Sequence, residues 1–203
     1  MDGGYDQGYL SCPCFWEDAP GSLVLKLDQL LNYTSHLSVL DIGCGEGKNA
    51  VFFARKGALV TALDISEAAL NNARKSWPDY NNVDWLCTDI RSAGLQHDNY
   101  DVVIAYGLFH CLGNSEEICR EISKMQLATK IGGYNLLCAF NDRHQDLSAH
   151  PGFFPTLMPH EFYKSAYSGW DLIYISDLDL HETHPHNNIP HSHALTRLIA
   201  RKI

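Results

Sequence analysis

The sequence predicts an α/β fold in which a mainly parallel sheet carries helices on both faces. Short apolar runs alternate with helical patterns along most of the chain, and this alternation is typical of parallel strands joined by crossover helices. The chain has 203 residues, of which 45% are hydrophobic. That is enough for one domain with a sizeable core.

The predicted elements follow one another in a regular order. Ser66 followed by Glu67 suits a helix start, as do Glu116 and Glu117 in the first turn of a later helix. The patterns predict helices over residues 22–32, 48–56, 66–77, 115–129 and 159–166, strands over 38–42, 59–63, 83–87 and 100–106, a strand over 134–140 after a turn at Gly132-Gly133, and a closing strand pair over 170–180 and 193–203.

Two segments are predicted along the chain. Residues 1–21 form a lead-in rich in Gly, Tyr and Cys, and residues 22–203 form the domain. The aromatic pair Phe15-Trp16 lies in the lead-in. Two alternatives stay open for this pair: it folds over a bound ligand and excludes water, or it packs into the core.

The most informative motif is the turn between the first strand and the next helix. It places glycine at 43, 45 and 47, where the absence of a Cβ lets the backbone approach a ligand beside unpaired helix N–H groups. A dinucleotide site uses Gly-x-Gly-x-x-Gly, whereas the spacing here is Gly-x-Gly-x-Gly. Asp41 precedes the turn, and its carboxylate suits a cationic ligand such as an ammonium or a sulfonium rather than a pyrophosphate.

Two further acids follow the next strands. Asp64 ends the second strand, close to where a Rossmann-like unit places its ribose-binding acid, about 20 residues after the turn. Asp89 follows the third strand. Ligands of open α/β sheets bind at the carboxyl ends of the strands, so the three acids are expected to share one crevice. An NAD(P)-dependent oxidoreductase does not need the third acid, which leaves that class as the weaker alternative.

These motifs resemble class I S-adenosylmethionine (SAM) dependent methyltransferases. The resemblance implies a Rossmann-like, doubly wound, seven-stranded sheet with an antiparallel closing strand between the fifth and sixth strands. It implies S-adenosyl-L-methionine as cofactor and S-adenosyl-L-homocysteine as product. The residues that match the cofactor-binding motifs are Asp41, Gly43, Cys44, Gly45, Gly47 and Asn49 around the turn, Asp64 and Ile65 at the ribose, Asp89 and Ile90 at the adenine, and Tyr106 after the fourth strand.

Several segments are similar to the tellurite-resistance subgroup of small methyltransferases. They are residues 44–49, residues 132–136 and the end of the chain from residue 179 through residue 202. Known members methylate small soft anions such as tellurite. The histidine of the closing strand pair is kept as His181, but Glu182 stands where the subgroup has arginine. A further arginine of the last strand is not found among residues 191–194. The loss of charge-assisted donors to an anion favours a neutral or softer acceptor.

Histidines supply the candidate catalytic residues. His110 follows the fourth strand, where it either serves as a base at neutral pH or packs under the loop. His181 begins a histidine-rich stretch, residues 181–193. This stretch is an idle loop, a source of a histidine that orients or deprotonates the acceptor, or a site for Zn, Ni or Cu. Its spacing is not that of the zinc motif His-Glu-x-x-His, so we assign no metal ligand. Of the two remaining alternatives we take the second, with His181 as the catalytic residue.

The charge excludes several partners. The net charge is −9 and the pI is about 5.6, which argues against nucleic acid and anionic membrane surfaces. No apolar run approaches the length of a membrane span.

Seven scattered cysteines favour a reducing, cytoplasmic compartment over a disulfide framework. A SAM-dependent enzyme acting on a small-molecule acceptor is therefore expected, the alternative being a non-catalytic protein that binds SAM or a metal.

Overall fold

The fold is organised around one seven-stranded sheet of order β3-β2-β1-β4-β5-β7-β6. The computed structural model describes residues 5–12, 14–31, 36–184 and 188–203. Its helices and strands are α1 (Asp6–Ser11), α2 (Ser22–Asp28), β1 (Ser38–Ile42), α3 (Lys48–Arg55), β2 (Leu59–Asp64), α4 (Glu67–Ser76), β3 (Val83–Cys87), β4 (Tyr100–Tyr106), a 3₁₀ turn (Phe109–Cys111), α5 (Ser115–Ala128), β5 (Thr129–Gln145), α6 (His160–Ala166), β6 (Asp171–Glu182) and β7 (His191–Arg201).

The sheet topology confirms the predicted fold. Strands β1 to β5 pair in parallel, and β7 lies antiparallel to both β5 and β6. Strand β1 is central, with β2 on one side and β4 on the other. The chain order reverses at this point, and such a reversal opens a crevice at the carboxyl ends of the neighbouring strands.

Two apolar layers cover the faces of the sheet. Val39 packs with Leu27 and Phe53 in one layer, while the next residue, Leu40, packs with Ile122 and the second layer. Adjacent strand residues point to opposite faces, so both faces of β1 are buried. Each such side chain contributes roughly 1.5–3 kcal/mol through removal of its apolar surface from water.

Capping residues set the starts of two helices. The Ser66 hydroxyl accepts a hydrogen bond from the Ala69 N–H at 3.1 Å, which confirms the predicted cap of α4. Asn114 accepts from the Glu117 N–H at 2.9 Å at the start of α5. Each cap satisfies a backbone donor that the helix itself leaves unpaired.

Two features differ from the sequence-based expectation. Gly132-Gly133 is not a turn into a new strand, because β5 runs unbroken from Thr129. Gly132 adopts a φ of +80°, and the pairing with β4 shifts register over this part of the strand. The glycine pair therefore forms an irregularity within a long strand. The helix α1 was not predicted; it packs on α4, where Asn72 Nδ2 donates to the Tyr9 carbonyl at 2.8 Å.

Within the described ranges, the chain has no helix of sufficient length and apolar character to cross a lipid bilayer.

Candidate active site

A cavity of about 420 Å³ opens at the carboxyl ends of β1, β2 and β4. One wall comes from the parallel half of the sheet, and the other comes from the lead-in and the closing strands. The lining includes Gly43, Cys44, Gly45, Asn49, Asp64, Ile65, Asp89, Ile90 and Tyr106 of the predicted cofactor residues, with Tyr9, Trp16, His110, His150, Glu182 and Arg197 on the remaining sides.

The glycine turn forms the floor of this cavity. Gly43, Gly45 and Gly47 have φ values of +68°, +54° and +82°, a left-handed conformation that costs other residues roughly 1–2 kcal/mol. The N–H groups of Gly43 and Cys44 donate to the Leu63 carbonyl at 2.8 and 3.1 Å. These bonds close the turn against the end of β2 and expose its backbone to the cavity.

Asp64 connects the turn to the cavity. Its two carboxylate oxygens accept the Gly45 and Ser66 N–H groups at 2.8 and 2.9 Å. Burial raises the pKa of this carboxyl, and the backbone donors oppose that rise. A carboxylate has about four acceptor positions, so Asp64 holds the turn and still presents acceptors to a ligand.

Asp41 has a structural position beneath the turn. It is 1% exposed, and its Oδ2 has no hydrogen-bond partner among the residues that the structure describes. Burial raises the pKa of Asp41 to about 7, against the effect of the Ala50 N–H that donates to it. Gly47, the residue that precedes α3, is also buried. Both shape the turn, and their contact with a cofactor stays a prediction.

Asp89 is engaged by a partner that the sequence-based reasoning missed. The Arg91 side chain donates to both Asp89 oxygens, and the Arg91 N–H donates to Oδ1 at 2.9 Å. This guanidinium holds the pKa of the Asp89 carboxyl below its usual range. An adenine amino group would share Asp89 with Arg91, and the buried Ile90 supplies the apolar surface beside it.

Polar side chains next to the turn hold the lead-in across the cavity. Glu46 accepts the N–H groups of Cys14 and Phe15 at 2.9 and 2.6 Å. Asn49 accepts the Gly21 N–H at 2.9 Å, and Lys48 donates to the Trp16 carbonyl at 2.7 Å. The lead-in is thus fixed to the same turn that forms the floor.

Phe15 and Trp16 of the lead-in lie in different surroundings. Phe15 is buried in a small apolar cluster with Tyr9. Trp16 lines the cavity, and its Nε1 donates to the Tyr9 hydroxyl at 3.0 Å. Tyr9 also lines the cavity, so this hydrogen-bonded pair forms part of the wall that faces the turn.

His110 lines the cavity in a defined tautomer. Its Nδ1 accepts the Phe140 N–H at 3.2 Å, and its ring stacks on the Phe140 ring with centroids 4.0 Å apart. Burial, with His193 and His150 nearby, lowers the pKa of His110 to about 3. The imidazole is therefore neutral, and because Nδ1 is an acceptor, Nε2 carries the proton.

Arg197 corrects the expectation that the last strand lacks an arginine at the site. It lies on β7 opposite Cys138 of β5 and lines the cavity. Its Nε is buried and has no hydrogen-bond partner within the described part of the chain. Arg197 lies beyond residues 191–194, and its position at the cavity follows only from the register of β7 against β5.

His181 is exposed and lies outside this cavity. Leu180 and Glu182 line the cavity, and His181 between them faces the other side of β6. It borders a separate surface depression with Asp146 and Ser192. Because side chains alternate along β6, Glu182 points toward the cavity and His181 points away from it. A catalytic role for His181 stays a prediction.

Comparisons with known proteins agree with this geometry. Residues 39–133 match the family model of a methyltransferase domain. The probable S-adenosyl-L-methionine-dependent methyltransferase TehB of Haemophilus influenzae is 31% identical over 159 residues, which are 76% of this chain and 54% of that protein. The crystal structure of TehB from Haemophilus influenzae has a TM-score of 0.74 at 27% identity, and the match covers 90% of this chain and 62% of that one.

A further solved structure shares the fold over the whole chain. That structure was solved for the conversion of a disulfide bond into a thioacetal group during echinomycin biosynthesis. Its TM-score is 0.74 at 20% identity, and the match covers 100% of this chain and 93% of that one. By contrast, this chain spans only between half and two thirds of the length of the TehB proteins that it matches.

Replacing Asp41 by Asn should change how stability depends on pH. Because its pKa in the folded protein is about 7, the folded state keeps a proton that the unfolded chain releases near pH 4. The stabilising effect of this proton is complete below pH 4 and is lost as the pH rises to 7. Asp41→Asn cannot ionise, so its unfolding free energy relative to wild type should increase over that range, by up to about 4 kcal/mol.

Urea unfolding of both proteins from pH 4 to pH 8 measures this difference. The same substitution at the exposed Asp84 is the matched control and should follow the wild-type profile. A constant difference between Asp41→Asn and wild type across the range would show that Asp41 does not titrate as its burial requires.

Replacing Gly47 by Ala should destabilise the turn beyond the cost of its backbone conformation. A Cβ at Gly47 would lie 2.2 Å from the Trp85 ring, whereas one at Gly152, which has a similar φ of +84°, meets no atom within 4 Å. Both substitutions incur the left-handed backbone cost. Gly47→Ala should therefore lower the melting temperature clearly more than Gly152→Ala, and equal losses would contradict the predicted clash.

Proposed function

Because the chain belongs to the class I SAM-dependent methyltransferases, within their tellurite-resistance subgroup, we propose that it transfers a methyl group from SAM to a small-molecule acceptor. The observation that carries the proposal is the single cavity of about 420 Å³ that joins the glycine turn and Asp64 to His110 and Arg197. Cavities of this size suit small ligands, and the lead-in that is fixed across it leaves little room for a macromolecule.

The residues at the floor fit the cofactor. Asp64 presents acceptors to the two ribose hydroxyls, Ile65 and Ile90 offer apolar surface to the adenine, and the turn backbone approaches the cavity without Cβ atoms. Lys48 also lines the cavity, but its ammonium donates to the Trp16 carbonyl. The carboxylate of Asp64 at the floor suits a cationic ligand. When bound, SAM supplies an electrophilic methyl group on a sulfonium that is a good leaving group.

The chain contributes mainly position and shielding from water. Correct placement of two reactants supplies roughly 7–11 kcal/mol toward a reaction barrier. Glu46, Lys48 and Asn49 fix the lead-in over the turn, and this fixed wall excludes solvent from the reacting groups. The parallel half of the sheet would hold the donor, and the wall beyond Tyr106 would hold the acceptor.

His110 and Arg197 are the proposed acceptor contacts. With its proton on Nε2, His110 would act as a hydrogen-bond donor to the acceptor rather than as the base that the sequence predicts. Arg197 supplies a cation whose Nε lacks a hydrogen-bond partner in the described ranges. Together they favour an acceptor with an anionic or electron-rich group, despite the glutamate at 182.

We extend the proposal to the setting of the reaction. Cys44 and Cys138 are buried free thiols, and Cys14 and Cys87 are exposed ones, which suits a reducing cytoplasmic compartment. The net charge of −9 disfavours nucleic-acid substrates and anionic membrane surfaces. Small-molecule methylation therefore agrees with the cavity and with the charge.

Asp64 provides the test of cofactor binding. SAM and S-adenosylhomocysteine should raise the melting temperature, since each would bind only the folded protein, whereas NAD should not. Asp64→Ala removes hydrogen bonds to a charged acceptor, each worth roughly 1.5–3 kcal/mol, so calorimetry should show SAM affinity lower by about a hundredfold or more.

Asp84→Ala, an exposed change on the neighbouring strand, is the control and should keep wild-type affinity. Unfolding of the apo proteins separates binding from stability, because Asp64 also accepts two backbone N–H groups. Unchanged SAM affinity in folded Asp64→Ala would remove Asp64 from the cofactor site.

Arg197 provides the test of the acceptor. Arg197→Met keeps an unbranched apolar stem and removes the guanidinium charge, so transfer of labelled methyl groups to anionic acceptors should fall at least tenfold in kcat/KM. SAM affinity should stay within about twofold of wild type, since only the acceptor end is altered. A parallel loss of SAM affinity would place Arg197 at the donor instead.

A further inference from the structure

Four histidines and one glutamate converge beside the acceptor end of the cavity. Imidazole centroids of His150, His184, His191 and His193 lie between 4.7 and 5.4 Å apart in five neighbouring pairs. All four are buried, and Glu182 is half-buried next to them. His186, from the same histidine-rich stretch, lies outside the described residues.

The donor atoms of this cluster surround one carboxylate oxygen. Nε2 of His184, His191 and His193 lies 3.9, 3.7 and 3.9 Å from Oε1 of Glu182. In a tetrahedral site with metal–nitrogen distances of about 2.0–2.1 Å, neighbouring donor atoms are roughly 3.3–3.4 Å apart. The observed separations exceed that spacing by only a few tenths of an ångström.

Hydrogen bonds on the far side of two rings orient them. Nδ1 of His193 lies 2.8 Å from Oε1 of Gln145, whose amide nitrogen donates to the carbonyls of Asn141 and Ala194. This arrangement makes Oε1 of Gln145 the acceptor, so Nδ1 of His193 carries the proton. Nδ1 of His191 lies 2.8 Å from the Ile189 carbonyl, which accepts in the same way.

The opposite ring nitrogens are therefore lone-pair donors. Nε2 of His191 and of His193 is buried and has no hydrogen-bond partner among the described residues. Leaving such an atom unsatisfied costs roughly 1–3 kcal/mol. Histidine ligands of metal sites show this same pattern, in which Nδ1–H donates to a carbonyl and Nε2 faces the ion.

We propose that Glu182, His191 and His193 form the core of a binding site for a divalent transition metal, with Zn²⁺ as the first choice. His184 is placed to serve as a fourth ligand, at a similar distance from the same carboxylate oxygen. Two imidazoles and a carboxylate are a ligand set that zinc uses when a further position stays open to a substrate. Their spacing along the chain led to no ligand assignment, because β6 and β7 bring them together only when the sheet forms.

The position of the site gives it a role in the proposed reaction. Glu182 and His150 belong both to the cluster and to the lining of the cavity, so an ion held here lies at the acceptor end. An acceptor with a metal-binding atom, such as a thiolate, would be oriented there. This role rests on the proposed methyl transfer, whereas the metal site itself does not.

Metal binding is measured on the full chain after removal of ions with a chelator. Wild type should bind one Zn²⁺ with a dissociation constant below about 1 μM and gain thermal stability. Co²⁺ in its place should give the visible absorption of a low-symmetry site with nitrogen and oxygen ligands. His191→Ala and Glu182→Gln should each weaken Zn²⁺ binding at least thirtyfold.

His144→Ala is the matched control, because His144 is exposed on β5 and its Nε2 lies 3.2 Å from the Ser192 hydroxyl. It should bind Zn²⁺ as wild type does. Urea unfolding of the metal-free proteins reports whether each variant is folded, independently of the metal and of SAM. Zn²⁺ binding weaker than about 100 μM in wild type, or equal in wild type and His191→Ala, would overturn the site. If wild type binds SAM but not Zn²⁺, the proposed methyl transfer stands and the metal site is wrong. If wild type binds Zn²⁺ but not SAM, the metal site stands and the proposed methyl transfer is wrong.

Discussion

The left-handed turn from Gly43 to Gly47 is the constraint on which the site depends. Three positive φ values bend the chain from the central strand into α3 within a space that side chains would fill. The Leu63 carbonyl and Asp64 hold this conformation from the neighbouring strand. Because the turn is closed by β2, its geometry depends on the parallel pairing of β1 with β2.

The same turn also determines where the lead-in lies. Glu46 receives two backbone donors from it and a third hydrogen bond from Asn72 on α4. A buried carboxylate with three donors is held firmly, since an unpaired buried charge is costly. The lead-in is thus fixed through hydrogen bonds to a charged group, while Trp16 and Tyr9 add the aromatic wall. The position of the lead-in over the cavity depends on Glu46, and the shape of the cavity floor depends on the glycines on either side of Glu46 in the same turn.

The two halves of the sheet have different chemistry. The parallel half contributes a glycine turn and strand-end acids, which suit a cationic cofactor. The antiparallel pair β6 and β7 contributes Glu182, Arg197 and the buried His191 and His193. Insertion of β7 between β5 and β6 brings these side chains to the same end of the sheet as the turn. The closing strands therefore carry the side chains that are proposed to contact the acceptor, and the parallel half carries those that are proposed to hold the donor.

The amino-acid sequence by itself determined the strands and most helices, because these follow from local periodicity, and the short glycine-turn motif before Asp64 predicted which residues lie on the donor side. Only the tertiary structure decided the partners across long sequence separations. It joined Glu46 to the lead-in and directed Glu182 rather than His181 into the cavity, since a shift of one residue in strand phase reverses the face of every side chain. The meeting of His150 with His193 likewise depends on strand register and loop packing, which no local pattern encodes.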